Sequence, residues 1–169
     1  MRHQSFPVDN LGITAGRIRI VEFTHVTLLD IAWLAGLIEG EGYFTVTKRP
    51  KYPKAVYPAV GLAMTDGDVV ARAAGMMRAI SGSDANVRTR RHGLSTKPMY
   101  AVSFCGSYAV PIMRTLLPFM GQRRKARINE LLDAFAANPH VSRRRPLGAT
   151  RDFFPEDFIE MFEQAGANT

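Results

Sequence analysis

Residues 28–42 constrain this chain more than any other stretch. Ile31, Leu34, Leu37 and Ile38 recur at spacings of three and four, which predicts a helix with an apolar face, and Asp30 stands where a cap is wanted. Gly40 and Gly42 end the pattern. Ala32, Ala35 and Gly36 put small side chains along one stripe, and such a stripe lets another element approach almost to backbone contact. That element is either the chain's own sheet or a second helix of the same kind. Glu41 asks for more than packing. A carboxylate at the C-terminal end of a helix meets the negative pole of the macrodipole, so something cationic should compensate it.

The rest of the chain reads as a short series of elements. Residues 43–46 and 57–64 have strand character and are joined by the basic, proline-bearing run Lys48-Arg49-Pro50-Lys51-Tyr52-Pro53-Lys54. Asp66, or Thr65 before it, opens a second helix through Ile80 that stops at Ser81-Gly82-Ser83. A second strand pair, 86–91 and 99–105, turns at His92-Gly93-Leu94-Ser95. Helices over 108–119 and 123–136 follow, with Pro118 and Gly121 marking the join. The order αββαββαα predicts an α+β domain over residues 28–138. Residues 1–27 form an N-terminal arm with one short strand over 17–24. Residues 139–169 add a basic linker containing Arg143-Arg144-Arg145 and an acidic amphipathic helix over 155–164.

Length and charge narrow the function. The 169 residues, 46% of them apolar, suffice for one core and not for two ordinary domains. Lys and Arg outnumber Asp and Glu by 22 to 15, and the excess is localised. Residues 48–97 hold ten basic and three acidic groups and residues 121–151 hold eight and two, whereas 152–169 hold five acids and no base. Two basic regions of this kind point to a polyanion, with nucleic acid first. Cys105 alone excludes an internal disulfide and a multi-thiolate zinc site, and His3, His25, His92 and His140 lack metal-ligand spacing. No apolar run is long enough to cross a bilayer, and residues 1–10 are too polar for a signal peptide. A cytoplasmic protein without a membrane partner is expected. No glycine-rich phosphate loop is present, so no nucleotide cofactor is expected either.

Leu34-Ala35-Gly36-Leu37-Ile38-Glu39-Gly40-Glu41-Gly42 resembles the signature of the LAGLIDADG homing endonucleases, matching six of nine letters with Glu at both Asp positions. Trp33 before it and Tyr43-Phe44 after it are similar to what surrounds that signature, and the element order is the one those enzymes use. The resemblance covers about residues 28–136. It implies the αββαββα(α) fold with a curved antiparallel DNA-binding sheet. One motif per chain implies the single-motif type, in which two copies of the motif helix pack together and a homodimer reads a long pseudo-palindromic site.

In that arrangement two Glu41 carboxylates and the free carbonyls of two helix ends converge, an oxygen-rich cluster suited to Mg2+, with Mn2+ or Ca2+ able to occupy the same place. The resemblance assigns the second acid, Glu41, as the metal ligand, assisted by the Gly40 carbonyl, and leaves Glu39 to the helix end and the subunit interface with Ala32, Ala35 and Gly36. Residues 118–125 resemble the segment that supplies a basic active-site residue, which nominates Arg123 first and Lys125 second. The strand reading Val60-Gly61-Leu62-Ala63-Met64 departs from relatives that carry a polar, water-organising side chain there. DNA contacts are expected from Lys48, Arg49, Lys51, Lys54, Arg88, Arg90, Arg91, His92 and Lys97, because alternation projects every second strand residue from one face. The function implied is site-specific, magnesium-dependent cleavage of double-stranded DNA. The competing possibility on the same fold is a nucleic-acid-binding protein that does not cleave, either an intron-splicing maturase or a DNA-binding regulator.

Overall fold

A computed structural model describes residues 20–50, 55–90 and 97–138. The elements are α1 (Leu28–Glu41), β1 (Gly42–Val46), β2 (Pro58–Met64), α2 (Gly67–Ser81), β3 (Arg88–Arg90), β4 (Met99–Cys105), α3 (Ala109–Leu116) and α4 (Gln122–Ala137), with 3-10 turns at Gly106–Tyr108 and Leu117–Phe119. The chain is therefore α+β in the expected order. Among the described residues no helix is long and apolar enough to cross a membrane.

The cap of α1 differs from the sequence reading by three residues. Thr27 is the N-cap and Asp30 is the third residue of a reciprocal capping box: the Asp30 N–H donates to Thr27 Oγ1 at 3.3 Å and the Thr27 N–H donates to Asp30 Oδ2 at 3.1 Å. The Thr27 hydroxyl also donates to Asp30 Oδ2 at 2.7 Å, and Arg72 of α2 reaches Asp30 Oδ1 at 3.5 Å while lying 4.3 Å from the Trp33 ring centroid. One carboxylate thus closes the helix start and ties α1 to α2.

The four strands form one antiparallel sheet in the order β1-β2-β4-β3. Register sorts the side chains into two faces. Phe44, Val60 and Phe104 stand in one row and Leu62 and Val102 in the next, all joining the core with Leu34 and Ile38 of α1, Val70, Met76 and Met77 of α2, Ile112 and Leu116 of α3, and Ile128 and Leu131 of α4. The alternate set, Tyr43, Thr45, Ala63, Ala101, Ser103 and Arg88, keeps contact with solvent. Burial of this kind stabilises by roughly 1.5 to 3 kcal/mol for each large apolar side chain, so the core face dictates which way every strand turns.

Three boundaries were not foreseen. The single helix expected over 108–119 is only the eight residues of α3 flanked by 3-10 turns, because Pro118 withholds a donor and Gly106 takes a left-handed backbone at φ +65°. The strand expected over 86–91 begins only at Arg88 and is described through Arg90, Arg91 lying outside the described residues. No strand appears over 20–24, and 17–19 lie outside the described residues. Packing also starts upstream of Leu28. Val26 belongs to the core, Ile20 and Phe23 press on it, and Val21 crosses α2 so closely that its carbonyl fills the space where a Cβ on Gly75 would sit. The C-terminal linker and helix expected over 139–169 lie outside the described residues.

The Thr27 hydroxyl, then the Thr27 N–H and Arg72, hold the Asp30 carboxyl below its ordinary value of 3.8 against the opposing effect of burial. A depressed acid contributes stability that is present above the unfolded value and lost as pH falls through the folded one. Asp30→Asn is therefore expected to lower stability at neutral pH by up to about 1 kcal/mol. Its difference from the wild-type chain should close as pH drops below the ordinary value, read by urea unfolding across a pH series.

Candidate active site

The end of α1 is built from Glu39, Gly40, Glu41 and Gly42, and it sits against the start of α4. The last carbonyls of any helix lack intrahelical partners. Here Arg124 of α4 supplies two donors: Nη2 donates to the Glu39 carbonyl at 3.0 Å and Nη1 donates to the Gly42 carbonyl at 2.9 Å. This guanidinium, 5.7 Å from the Phe44 ring centroid, sets a cation against the carbonyls of the helix end. In return the Gly121 N–H, at the N-cap of α4, donates to Glu39 Oε2 at 3.2 Å. The negative pole of one helix therefore meets the positive pole of another. Three residues further on, Arg127 donates from Nε to the Phe44 carbonyl at 3.5 Å and from Nη1 to Glu130 Oε2 at 2.7 Å.

The two acids of the motif separate cleanly. Glu39 is half-buried, and its carboxylate accepts from the Gly121 N–H, which turns that group toward α4. Glu41, the last residue of α1, is exposed and has no hydrogen-bond or ion-pair partner among the described residues. Two positions on a helix differ by about 200°, and the flanking glycines carry no side chain to crowd the second acid. A Cβ on Gly40 or Gly36 would meet no heavy atom within 4 Å, so both face open space.

The small-residue stripe needs one correction. Ala35 is only 2% exposed and packs into the core with Leu34 and Ile38, so within this chain it is not available to a partner. The outward stripe is Leu29, Ala32, Gly36 and Gly40, at spacings of three and four, with Leu29 82% exposed. Ala32 and Gly36 lie on this exposed stripe, and Leu29 extends it toward the helix start.

Of the nominated cations, Arg123 is exposed and Lys125 half-buried, both on the first turn of α4 beside Arg124. The Lys125 backbone N–H donates to the Gly121 carbonyl at 2.9 Å, and neither side chain bonds to another described residue. On the sheet, Arg88 is exposed opposite Ala101, and Arg90 pairs in register with Met99. Lys97 and Lys48 are exposed. Arg49, also exposed, stacks 4.6 Å from the Tyr57 centroid and donates from Nη2 to Cys105 Sγ at 3.7 Å. Lys51, Lys54, Arg91 and His92 lie outside the described residues.

Metal fit follows from the donor set. No three His, Cys, Asp or Glu gather among the described residues. One chain offers the Glu41 carboxylate and the neighbouring Gly40 carbonyl, hard oxygen donors of the kind magnesium takes but too few to enclose it by themselves.

No family model matches the chain, and no curated protein matches it. Solved structures do. The group I intron-encoded homing endonuclease I-CeuI complexed with DNA is similar at a TM-score of 0.48 and 16% identity over 69% of this chain, which spans only 59% of that one. The homing endonuclease I-CvuI is similar in two structures. One, with the I-CreI target in magnesium and the DNA not cleaved, has a TM-score of 0.49 and 21% identity over 83% of this chain and 82% of that one. The other, with its own target in calcium, has a TM-score of 0.45 and 17% identity over 82% of this chain and 95% of that one.

The asymmetry between the acids is measurable. Glu39→Ala should cost up to about 1 kcal/mol through its bond to Gly121. Glu41→Ala should leave unfolding stability unchanged or raise it by roughly a few tenths of a kcal/mol, because it removes an unpaired charge from the unfavourable helix pole.

Proposed function

We propose that this chain is a site-specific endonuclease that cuts double-stranded DNA as a homodimer, with magnesium held between two copies of Glu41. The observation that carries this reading is Glu41 itself: an exposed acid without a partner among the described residues, ending a helix whose outward stripe is small and apolar, next to a helix start rich in cations. Such an acid does nothing for the fold of a single chain.

Pairing follows from the stripe. Leu29, Ala32, Gly36 and Gly40 would allow two α1 helices to cross with their backbones close, bringing the two Glu41 side chains and Gly40 carbonyls to one axis. Magnesium in that place supplies Lewis acidity, neutralising phosphate oxygens and making nearby water a better nucleophile. The chain's own residues do the remainder. Glu41 and the Gly40 carbonyl hold the ion, Arg123 and Lys125 set positive charge where the phosphate gains negative charge, and Glu39 keeps the helix end against α4. The sheet face that carries Arg88 would lie along the major groove, with Arg88, Arg90, Lys97, Lys48 and Arg49 fixing phosphates.

Incubation with a randomised pool of DNA sites and magnesium tests the reading. Cuts in both strands, lost in Glu41→Ala, are expected. Specific binding without cuts in the wild-type chain would instead favour a splicing maturase or a DNA-binding regulator. Gly36→Ala provides a second check, because filling an open helical position should stabilise the isolated chain by up to about 1 kcal/mol while weakening self-association in sedimentation. Arg88→Ala should weaken binding and lower the slope of log affinity against log salt by about 1 if that residue meets a phosphate.

A further inference from the structure

Glu41 has a side chain that nothing in the described structure restrains and a backbone flanked by two glycines, the residues least able to hold a conformation by themselves. A metal ligand in that position needs its orientation from elsewhere, since loss of only part of a productive geometry weakens a site severely. The Arg124 guanidinium provides the hold. Its two donors are locked in one plane, and they land on the carbonyls of residues 39 and 42, one before Glu41 and one after it.

A single capping bond would satisfy one orphan carbonyl and leave the other side of residue 41 free. Two bonds from one rigid group fix the peptide units on both sides relative to each other. The fork is itself held, half-buried near the Phe44 ring on a helix anchored by Ile128 and Leu131. It also sits between Arg123 and Lys125 in sequence, so the same residue sets the register between the acid and the first-turn cations.

We infer that Arg124 is the positioning residue of the site: it touches neither metal nor phosphate but fixes the backbone of residue 41 against the first turn of α4. This rests on the nuclease reading for its consequence, while its structural content stands apart from it. Lysine could not replace it fully, because an ammonium is a point donor without the fork.

The test uses Arg124→Lys, which keeps the charge, and Arg124→Gln, in the full chain. Amide hydrogen exchange at residues 40–43 should rise by about tenfold or more in both variants, with residues 31–38 unchanged. Binding of Mn2+ to the protein–DNA complex, read by electron paramagnetic resonance, should weaken by roughly 10- to 100-fold. DNA affinity of the Lys variant in chelator should stay within about twofold of the wild-type chain, since its charge is preserved. Exchange at 40–43 that does not change, or unaltered Mn2+ affinity in both variants, overturns the assignment. A rise spread along all of α1 and α4 also overturns it, by making Arg124 a prop of the whole fold. If the wild-type complex binds no Mn2+ that Glu41→Ala removes, the nuclease reading fails, and the exchange pattern still decides whether Arg124 fixes residue 41.

Discussion

The two-pronged contact from Arg124 to the carbonyls of Glu39 and Gly42 is the interaction on which the rest of the site depends. It answers an electrostatic problem set by the motif. A helix that ends in an acid and two glycines has unsatisfied carbonyls, an adverse pole and little side-chain support. Packing the start of α4 there supplies two donors, a fixed cation and the opposite pole at once, and Glu39 returns a carboxylate to the Gly121 N–H. With that junction made, α4 also covers the edge strand β1, where Arg127 reaches the Phe44 carbonyl, so the sheet is shielded on one border.

The consequence is a division of labour between two acids two residues apart. Glu39 is absorbed by the fold and Glu41 is left out of it. The same division runs along α1. Leu34, Ala35 and Ile38 go to the core, while Leu29, Ala32, Gly36 and Gly40 face outward and give the single chain nothing. The sheet repeats it, with Phe44, Val60 and Phe104 inward and Tyr43, Ser103 and Arg88 outward. Features that do not stabilise the single chain collect on one helix edge and one sheet face, and the proposed function rests on these.

Much of this was readable in the chain. Element order and the stop at Gly42 follow from hydrophobic period and from glycine and proline placement. The part of Arg124 was not so readable, although a signal existed: stepping back four residues from Ile128, itself three before Leu131, lands on residue 124, the inward face of α4. The motif resemblance nominates its neighbours, Arg123 and Lys125, and carries no sign of Arg124. Ala35 was misassigned for a related reason, since a stripe of small residues does not say which of its members a sheet will cover.

By itself the sequence determined the local facts: the order of helices and strands, the stop of α1 at its glycines, and that an acid would stand at a helix end. These depend on spacing along the chain and on backbone sterics, both of which are short-range. Only the tertiary structure decided which of three consecutive basic residues meets that end, which face of α1 remains open, and that Glu41 is left without a described partner. Those outcomes depend on how α4 docks across more than 80 residues of chain, as the separation between Gly42 and Arg124 shows. No local pattern records that geometry.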